Sequence, residues 1–195
     1  DGFTALSLST LNDNLGTTKL AGGTYVMKAK VLGVPYLILN PFHAYQLVPY
    51  TTPGKAIVVI EGTSDTDWET LRTGLAGTTD PSKAPEGSIR NALLNNMERT
   101  GMADVSQGTN GVHLSAGPLE GMVELQRFFT THRSNNIPAL ADTAFGALLA
   151  VNGISDEERT ALVGNPDLSR DGKSISAFDL TEEMNATEAA GLLAN

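Results

Sequence analysis

Residues 55–61, with the sequence KAIVVIE, most limit what this chain can fold into. They form a short β-branched run between the turn residues Pro53-Gly54 and Gly62, which is the pattern of a buried strand. Strand-like and helix-like segments alternate on either side of this run. Strands are predicted at residues 3–10, 34–39, 55–61 and 111–115, and helices at residues 24–32, 64–76, 118–129, 138–151, 155–163 and 180–193. The alternation favours an α/β (α+β) fold, built as a ferredoxin-like antiparallel sheet with flanking helices.

The size and charge of the chain limit its architecture and its partners. It has 195 residues, enough for one domain or for one domain with an appendage. Hydrophobic residues make up 41% of the chain and aromatic residues only 6%, so the core must be mainly aliphatic. The net charge of −9 argues against nucleic acid as a partner, because binding by phosphate neutralisation needs a basic surface.

The chain contains no cysteine, which excludes disulfides, thiol catalysis and cysteine metal sites. This absence is consistent with the cytoplasm, which is the expected location. The longest apolar runs are far shorter than the ~20 residues of a membrane helix, so no membrane partner is expected. The histidines, His43, His113 and His132, show no spacing typical of a metal site.

The candidate chemistry lies around one of these histidines. If residues 111–115 form a strand, His113 and Ser115 point to the same side, because side chains alternate along a strand. Glu120 and Glu124 share a face of the following predicted helix. A carboxylate there could hold one ring nitrogen of the histidine and leave the other free to attack. The same residues also fit an ordinary histidine at a strand edge.

Short motifs around this histidine resemble those of the nucleoside diphosphate kinase family. The family's Gly-x-Thr-Asn-Pro and Gly-Thr-Ile-Arg motifs have counterparts in Gly77-Thr78-Thr79-Asp80-Pro81 and Gly87-Ser88-Ile89-Arg90. Its Asn-x-x-His-x-Ser signature has a counterpart in Asn110-Gly111-Val112-His113-Leu114-Ser115. Glu124 stands where the family places the glutamate that orients the histidine. The resemblance covers residues 55–129, and the order and spacing of the motifs carry it.

The resemblance implies a phosphotransferase that moves the γ-phosphate of a nucleoside triphosphate to a nucleoside diphosphate through a phosphohistidine at His113. Glu124 and Ser115 would then be catalytic residues that orient the ring. The implied nucleotide-binding residues are Thr79 and Arg90, at the phosphates, and Asn110, at the sugar. Without the family's motifs, Arg90 could equally be a surface arginine and Thr79 a turn residue.

The resemblance also implies partners and an assembly. ATP or another nucleoside triphosphate would enter with Mg²⁺, because the charge on its phosphates must be neutralised. The family forms oligomers, so a homo-oligomer is expected. The kinase-like domain is expected at residues 1–133, followed by a helical C-terminal extension at residues 134–195.

Two positive charges of the family's phosphate site have no match in this chain. The family's first strand ends at a lysine, but the matching residues 8–10 are Leu-Ser-Thr. An arginine on the helix before the Gly-x-Thr motif aligns with Thr73, beside Arg72. These differences predict reduced activity. The alternative is a non-catalytic structural or assembly protein that retains the kinase-like fold.

Residues 167–179, DLSRDGKSISAFD, resemble a calcium-binding loop of the EF-hand or dockerin kind. Asp167, Ser169 and Asp171 fit the first half of such a loop, whose ligands are oxygen atoms. The stretch has an extra residue before Ile175 and no bidentate glutamate at the required place. A polar turn between two helices is therefore the favoured interpretation, and a Ca²⁺ site is the alternative.

Overall fold

The computed structural model describes residues 2–21, 24–129 and 139–194. The chain divides into two compact units, unit 1 at residues 1–58 and unit 2 at residues 59–195. Each unit contains helices and antiparallel strands, so the architecture is a mixed α+β one.

Unit 1 is built on a three-stranded antiparallel sheet with the order β1-β2-β3. Leu32 and Gly33 join β2 to β3 through left-handed backbone, with φ angles of 50° and 85°. Val26, Met27 and Ala29 of β2 are buried. The elements are α1 (Ala5–Leu15), β1 (Thr18–Ala21), β2 (Thr24–Val31), β3 (Val34–Leu39), α2 (His43–Gln46) and α3 (Val48–Thr51).

Two predicted elements of unit 1 are wrong. Residues 3–10, predicted as a strand, lie largely in α1, because Thr4 and Ser7 form a capping box that starts a helix. Residues 24–32, predicted as a helix, form β2, because the turn that follows folds the chain back into register with β3. The predicted strand at residues 34–39 is confirmed.

Unit 2 is mainly helical, and its core is formed mainly by the apolar faces of α7, α8, α9 and α11, with Ala177 of α10. Leu119 and Met122 of α7 pack there with Leu149 of α8, Leu162 of α9 and Ala189 of α11. Its elements are α4 (Trp68–Thr70), the π-helical turn Leu71–Ala76, the 3₁₀ turn Pro81–Lys83, α5 (Ile89–Asn95), α6 (Met97–Thr100), α7 (Pro118–Phe129), the 3₁₀ turn Leu140–Asp142, α8 (Ala144–Val151), α9 (Asp156–Val163), β4 (Asp167–Arg170), β5 (Lys173–Ser176), α10 (Ala177–Leu180) and α11 (Ala186–Leu193).

The core of unit 2 combines helices from both sides of the predicted boundary between the kinase-like domain and the C-terminal extension. The predicted boundary between residues 133 and 134 lies outside the described residues. Helix α7, before that point, shares one core with α8, α9 and α11, after it. The C-terminal helices therefore pack with the segment that carries the candidate site.

The ferredoxin-like sheet is not confirmed. Neither residues 55–61 nor residues 111–115 form a strand in the described structure. Val58 and Ile60 are 89% and 85% exposed. A strand forms only where a neighbouring strand supplies hydrogen bonds, and the described strands make up only the sheet of unit 1 and the β4–β5 hairpin.

Residues 167–179 form the β4–β5 hairpin and the start of α10, in place of the predicted turn between two helices. Leu168 pairs with Ile175, and the turn at Asp171-Gly172 has left-handed φ angles of 50° and 74°. A calcium site in this segment stays the untested alternative. None of the helices described combines the length and hydrophobicity that spanning a bilayer requires.

Candidate functional site

Helix α7 brings two carboxylates to His113. One side of the helix is apolar and buried in the core of unit 2, which fixes the rotation of the helix about its axis. Glu120 and Glu124 lie one turn apart on another side. Their carboxylate oxygens and a ring nitrogen of His113 all lie within 4.8 Å of one another.

Glu124 binds both His113 and Ser115. Its Oε1 atom lies 2.8 Å from Nε2 of His113, and its Oε2 atom accepts a 2.6 Å hydrogen bond from Oγ of Ser115. The two side chains therefore share one side of the segment, as predicted, although the segment is not a strand. No described residue forms a hydrogen bond with Nδ1 of His113, whose side chain is 64% exposed. The second ring nitrogen is open to an incoming reactant.

The charges of this pair act on each other. The hydrogen bond to Glu124 is the largest cause that raises the pKa of His113. Together with the charges of Glu124 and Glu120, it outweighs the opposing effects of burial and of the nearby Arg90 guanidinium. Burial alone would raise the pKa of the Glu124 carboxyl, but the hydrogen bonds from His113 and Ser115, with the positive charges of His113 and Arg127, lower it overall. Protonated His113 and ionised Glu124 therefore favour each other.

Glu120 has a different partner. Its Oε2 atom accepts a hydrogen bond from the backbone N–H of Ala116, just after Ser115. The ligand atoms of His113, Glu120 and Glu124 are close enough to bracket a cation, but each of the three side chains also makes a hydrogen bond within the site. The cluster is therefore a hydrogen-bonded network that orients the histidine.

Arg90, predicted at the phosphates, lies close to this network and joins two backbone segments. Its guanidinium donates to the carbonyl oxygens of Gly77 at 2.6 Å and Val112 at 2.9 Å. Its Nε atom is buried and has no hydrogen-bond partner among the described residues. Burial and the neighbouring Arg72 guanidinium lower the pKa of Arg90. Arg90 thus places a cation near His113 while most of its described bonds go to the backbone.

The other two predicted nucleotide-binding residues, Thr79 and Asn110, are hydrogen-bonded to each other. The side-chain amide of Asn110 donates to the backbone carbonyl of Thr79 at 3.3 Å, and also to Gln107 at the same distance. The side chain of Thr79 is exposed. Arg72, whose charge helps to lower the pKa of Arg90, forms ion pairs of 2.7 and 3.0 Å with Glu182 and Glu183.

Two residues that hold the network in place, Trp68 and Asn185, are not predicted by the sequence analysis. Trp68 donates its indole N–H to the carbonyl oxygen of Ser115 at 2.8 Å. Asn185, far away in the sequence, bonds to the start of the helix that carries Trp68. The predicted helix begins at residue 64, whereas α4 begins at Trp68 with Asp67 as its N-cap, and the link to Asn185 has no local signal in the sequence.

Comparison with known proteins gives no match, since no family model, curated protein or solved structure matches this chain.

Proposed function

We propose that this protein is a phosphotransferase that moves the γ-phosphate of a nucleoside triphosphate to a nucleoside diphosphate through a phosphohistidine at His113. The observation that supports this most is the Glu124 carboxylate, which engages Nε2 of His113 and is itself held by Ser115. An imidazole held in this way directs its other lone pair outward, as a nucleophile requires.

In the first proposed step, the Nδ1 lone pair forms a bond to the γ-phosphorus. The bond between that phosphorus and the β–γ bridging oxygen breaks, and the diphosphate leaves with its electron pair. Glu124 stabilises the positive charge that develops on the ring, because its carboxylate accepts the Nε2 proton's hydrogen bond. A second nucleoside diphosphate then attacks the phosphohistidine and restores the free imidazole, which gives ping-pong kinetics.

Positive charge for the moving phosphate would come from Arg90, whose guanidinium is close enough to affect the pKa of His113. Thr79 and Asn110 would flank the nucleotide, and Mg²⁺ would enter with it as part of the substrate. Arg90 also serves two backbone carbonyls, and Arg72 is paired with two glutamates. We therefore expect slower turnover than in enzymes whose corresponding arginines bind only the phosphates.

Incubation with γ-labelled ATP and Mg²⁺ tests the proposal. The expected product carries an acid-labile, base-stable label, which is the behaviour of phosphohistidine. The label should disappear in His113→Ala and persist in the matched variant His43→Ala, since His43 lies in α2 of unit 1. A label that persists undiminished in His113→Ala would contradict the assignment.

The alternative is a non-catalytic structural or assembly protein. It is favoured by the use of Arg90 and Asn110 for internal bonds to backbone carbonyls. In that case neither wild type nor His43→Ala takes up label at any nucleotide concentration.

The proposal keeps the expectations of a kinase-like fold, a homo-oligomer and a cytoplasmic location. Light scattering tests the assembly, and a strictly monomeric mass at tens of micromolar would contradict it.

A further inference from the structure

Asn185 occupies the N-cap of α11 but does not cap it, because its side chain makes no hydrogen bond to that helix. Its Oδ1 atom instead accepts from the backbone N–H of Trp68 at 3.0 Å, and its Nδ2 atom donates to Asp67 at 2.9 Å. Asp67 is the N-cap of α4 and likewise makes no capping bond to its own helix. Asn185 therefore satisfies a free N–H at the start of another helix.

Trp68, which Asn185 holds in place, in turn contacts the histidine site. Its indole N–H donates to the carbonyl oxygen of Ser115 at 2.8 Å. Its ring lies against Gly121 of α7, where an added Cβ would be 3.4 Å from the Cη2 atom of Trp68 and 3.7 Å from Ser115. Trp68 is thus placed between the start of α4, helix α7 and the residue whose hydroxyl holds Glu124.

The segment Thr181–Asn185 contacts the same stretch of chain at two further points. The backbone N–H of Glu183 donates to the carbonyl oxygen of Ala116 at 2.8 Å. An added Cβ on Gly117 would lie 2.3 Å from the carbonyl oxygen of Thr181, which is fully buried. Backbone that approaches this closely leaves Ser115 and Ala116 little freedom to shift.

We propose that Asn185 and Trp68 are positioning residues for the histidine site. Asn185 fixes Trp68, Trp68 fixes the Ser115 carbonyl, and Ser115 then holds Glu124 against His113. Neither residue touches the reacting atoms. Their effect on phosphate transfer rests on the proposed function, whereas their effect on the geometry of His113 does not.

The state of His113 is a suitable measure of this geometry. The charged groups that act on it are Glu124, Glu120 and Arg90. Substitution of Asn185 or Trp68 by an uncharged residue alters none of these charges. Any change in the pKa of His113 in such variants therefore comes from altered geometry.

Two variants of the full chain test the proposal. Asn185→Ser keeps a residue type that can cap α11 but is too short to reach Trp68. Trp68→Phe keeps an aromatic ring and removes the indole N–H. Asn152→Ser is the matched control, because Asn152 is exposed and, among the described residues, its side chain bonds to its own helix at Leu148.

The pKa of His113 is followed by NMR without nucleotide, and thermal unfolding shows that each variant is folded. In Asn185→Ser and Trp68→Phe we expect the pKa of His113 to fall toward the free value of ~6.5. Labelling by γ-labelled ATP should slow about 10- to 100-fold, because small misplacement of a reacting group is costly. The Asn152→Ser control should match wild type in both measurements.

The outcomes separate this proposal from the proposed function. If His113 keeps its wild-type pKa and its labelling rate in both test variants, the positioning role is overturned and the transferase is not. If the pKa falls but even wild type takes no label, the positioning role stands and the transferase proposal fails.

Discussion

Glu124 and Arg90 both act on His113, but the contacts around each of them are built differently. On the Glu124 side, side chains bond to side chains, and helix α7 is fixed by its burial in a core. On the Arg90 side, the side chains of Arg90 and Asn110 bond to backbone carbonyls, some of them at 3.3 Å. The first side is arranged to orient an imidazole, while the second holds loops together. Under the proposed function, the comparison teaches that the nucleophile would be preformed while its phosphate ligands would not be.

The largest expected effect is on the free energy of unfolding, when a methyl group is added to Gly117 on the Glu124 side. Gly117→Ala should lower the free energy of unfolding by about 3 kcal/mol, because its Cβ would lie 2.3 Å from the Thr181 carbonyl oxygen. Denaturant titration measures the change. Gly191→Ala in α11 is the control, since its added Cβ would meet no neighbouring atom of the described residues within 4 Å, and it should raise stability by about 0.5–1 kcal/mol. Equal effects of the two changes would show that the approach at Gly117 is not tight.

The second effect concerns the carboxylate that orients the ring. In Glu124→Gln the pKa of His113 should fall, because a neutral amide no longer favours the protonated ring. The labelling rate should fall about 10²-fold through loss of orientation. Glu120→Gln is the matched control, since an amide oxygen can still accept from the Ala116 N–H. If both variants label alike, the assignment of Glu124 is refuted.

Arg90→Gln tests the other side of the comparison. Loss of the charged hydrogen bonds to Gly77 and Val112 should lower the free energy of unfolding by about 1.5–3 kcal/mol. Arg99→Gln, at an exposed position, should change it by no more than about 0.5 kcal/mol. If Arg90→Gln leaves stability unchanged but raises the KM for ATP, Arg90 is a phosphate ligand and the loop-holding role is wrong.

The labelling rate and the stability should depend on pH in different ways, because attack needs the neutral ring of His113 and the ion pair with Glu124 needs the protonated ring. Attack requires neutral His113, so labelling should fall about tenfold per pH unit below its raised pKa. The stabilising contribution of His113 has the opposite sense: it is fully present below the unfolded pKa of ~6.5 and is lost as pH rises through the folded pKa. That of Glu124 is present above ~4.3 and is lost as pH falls through its lowered folded pKa. A labelling rate that rises on acidification would contradict this assignment.

Thr79→Ala should have the smallest effect. Only the backbone carbonyl of Thr79 takes part in the described contact with Asn110, and that carbonyl remains in the variant. Stability should change by less than about 0.5 kcal/mol. A rise in the KM for ATP at unchanged stability would assign the hydroxyl to the nucleotide, and an unchanged KM would leave Thr79 as a turn residue.

The parts of the site that could be predicted from the sequence depend on local spacing. Pro118 marks the start of α7, and the positions of Glu120 and Glu124 on one helix face follow from the helical period. The shared direction of His113 and Ser115 follows from alternation along an extended chain, which does not need a sheet.

The parts that could not be predicted depend on distant partners. Residues 55–61 have the composition of a strand, but a strand also needs a neighbour, and composition does not supply one. Asn185 and Trp68 are separated by 117 residues, so no periodicity relates them. Arg72 lies in the π-helical turn Leu71–Ala76, where a regular helical period does not predict side-chain directions, and its partner Glu182 is far away in the sequence.

In the proposed reaction, Glu124 occupies one ring nitrogen of His113 and directs the other at phosphate. The most direct measurement is ³¹P–¹⁵N NMR of protein labelled with ¹⁵N-histidine after brief incubation with ATP and Mg²⁺. We predict a phosphorus–nitrogen coupling to Nδ1 of His113, because Nε2 lies 2.8 Å from the Glu124 carboxylate. Phosphate on Nε2 of His113, or on another residue, would contradict the account.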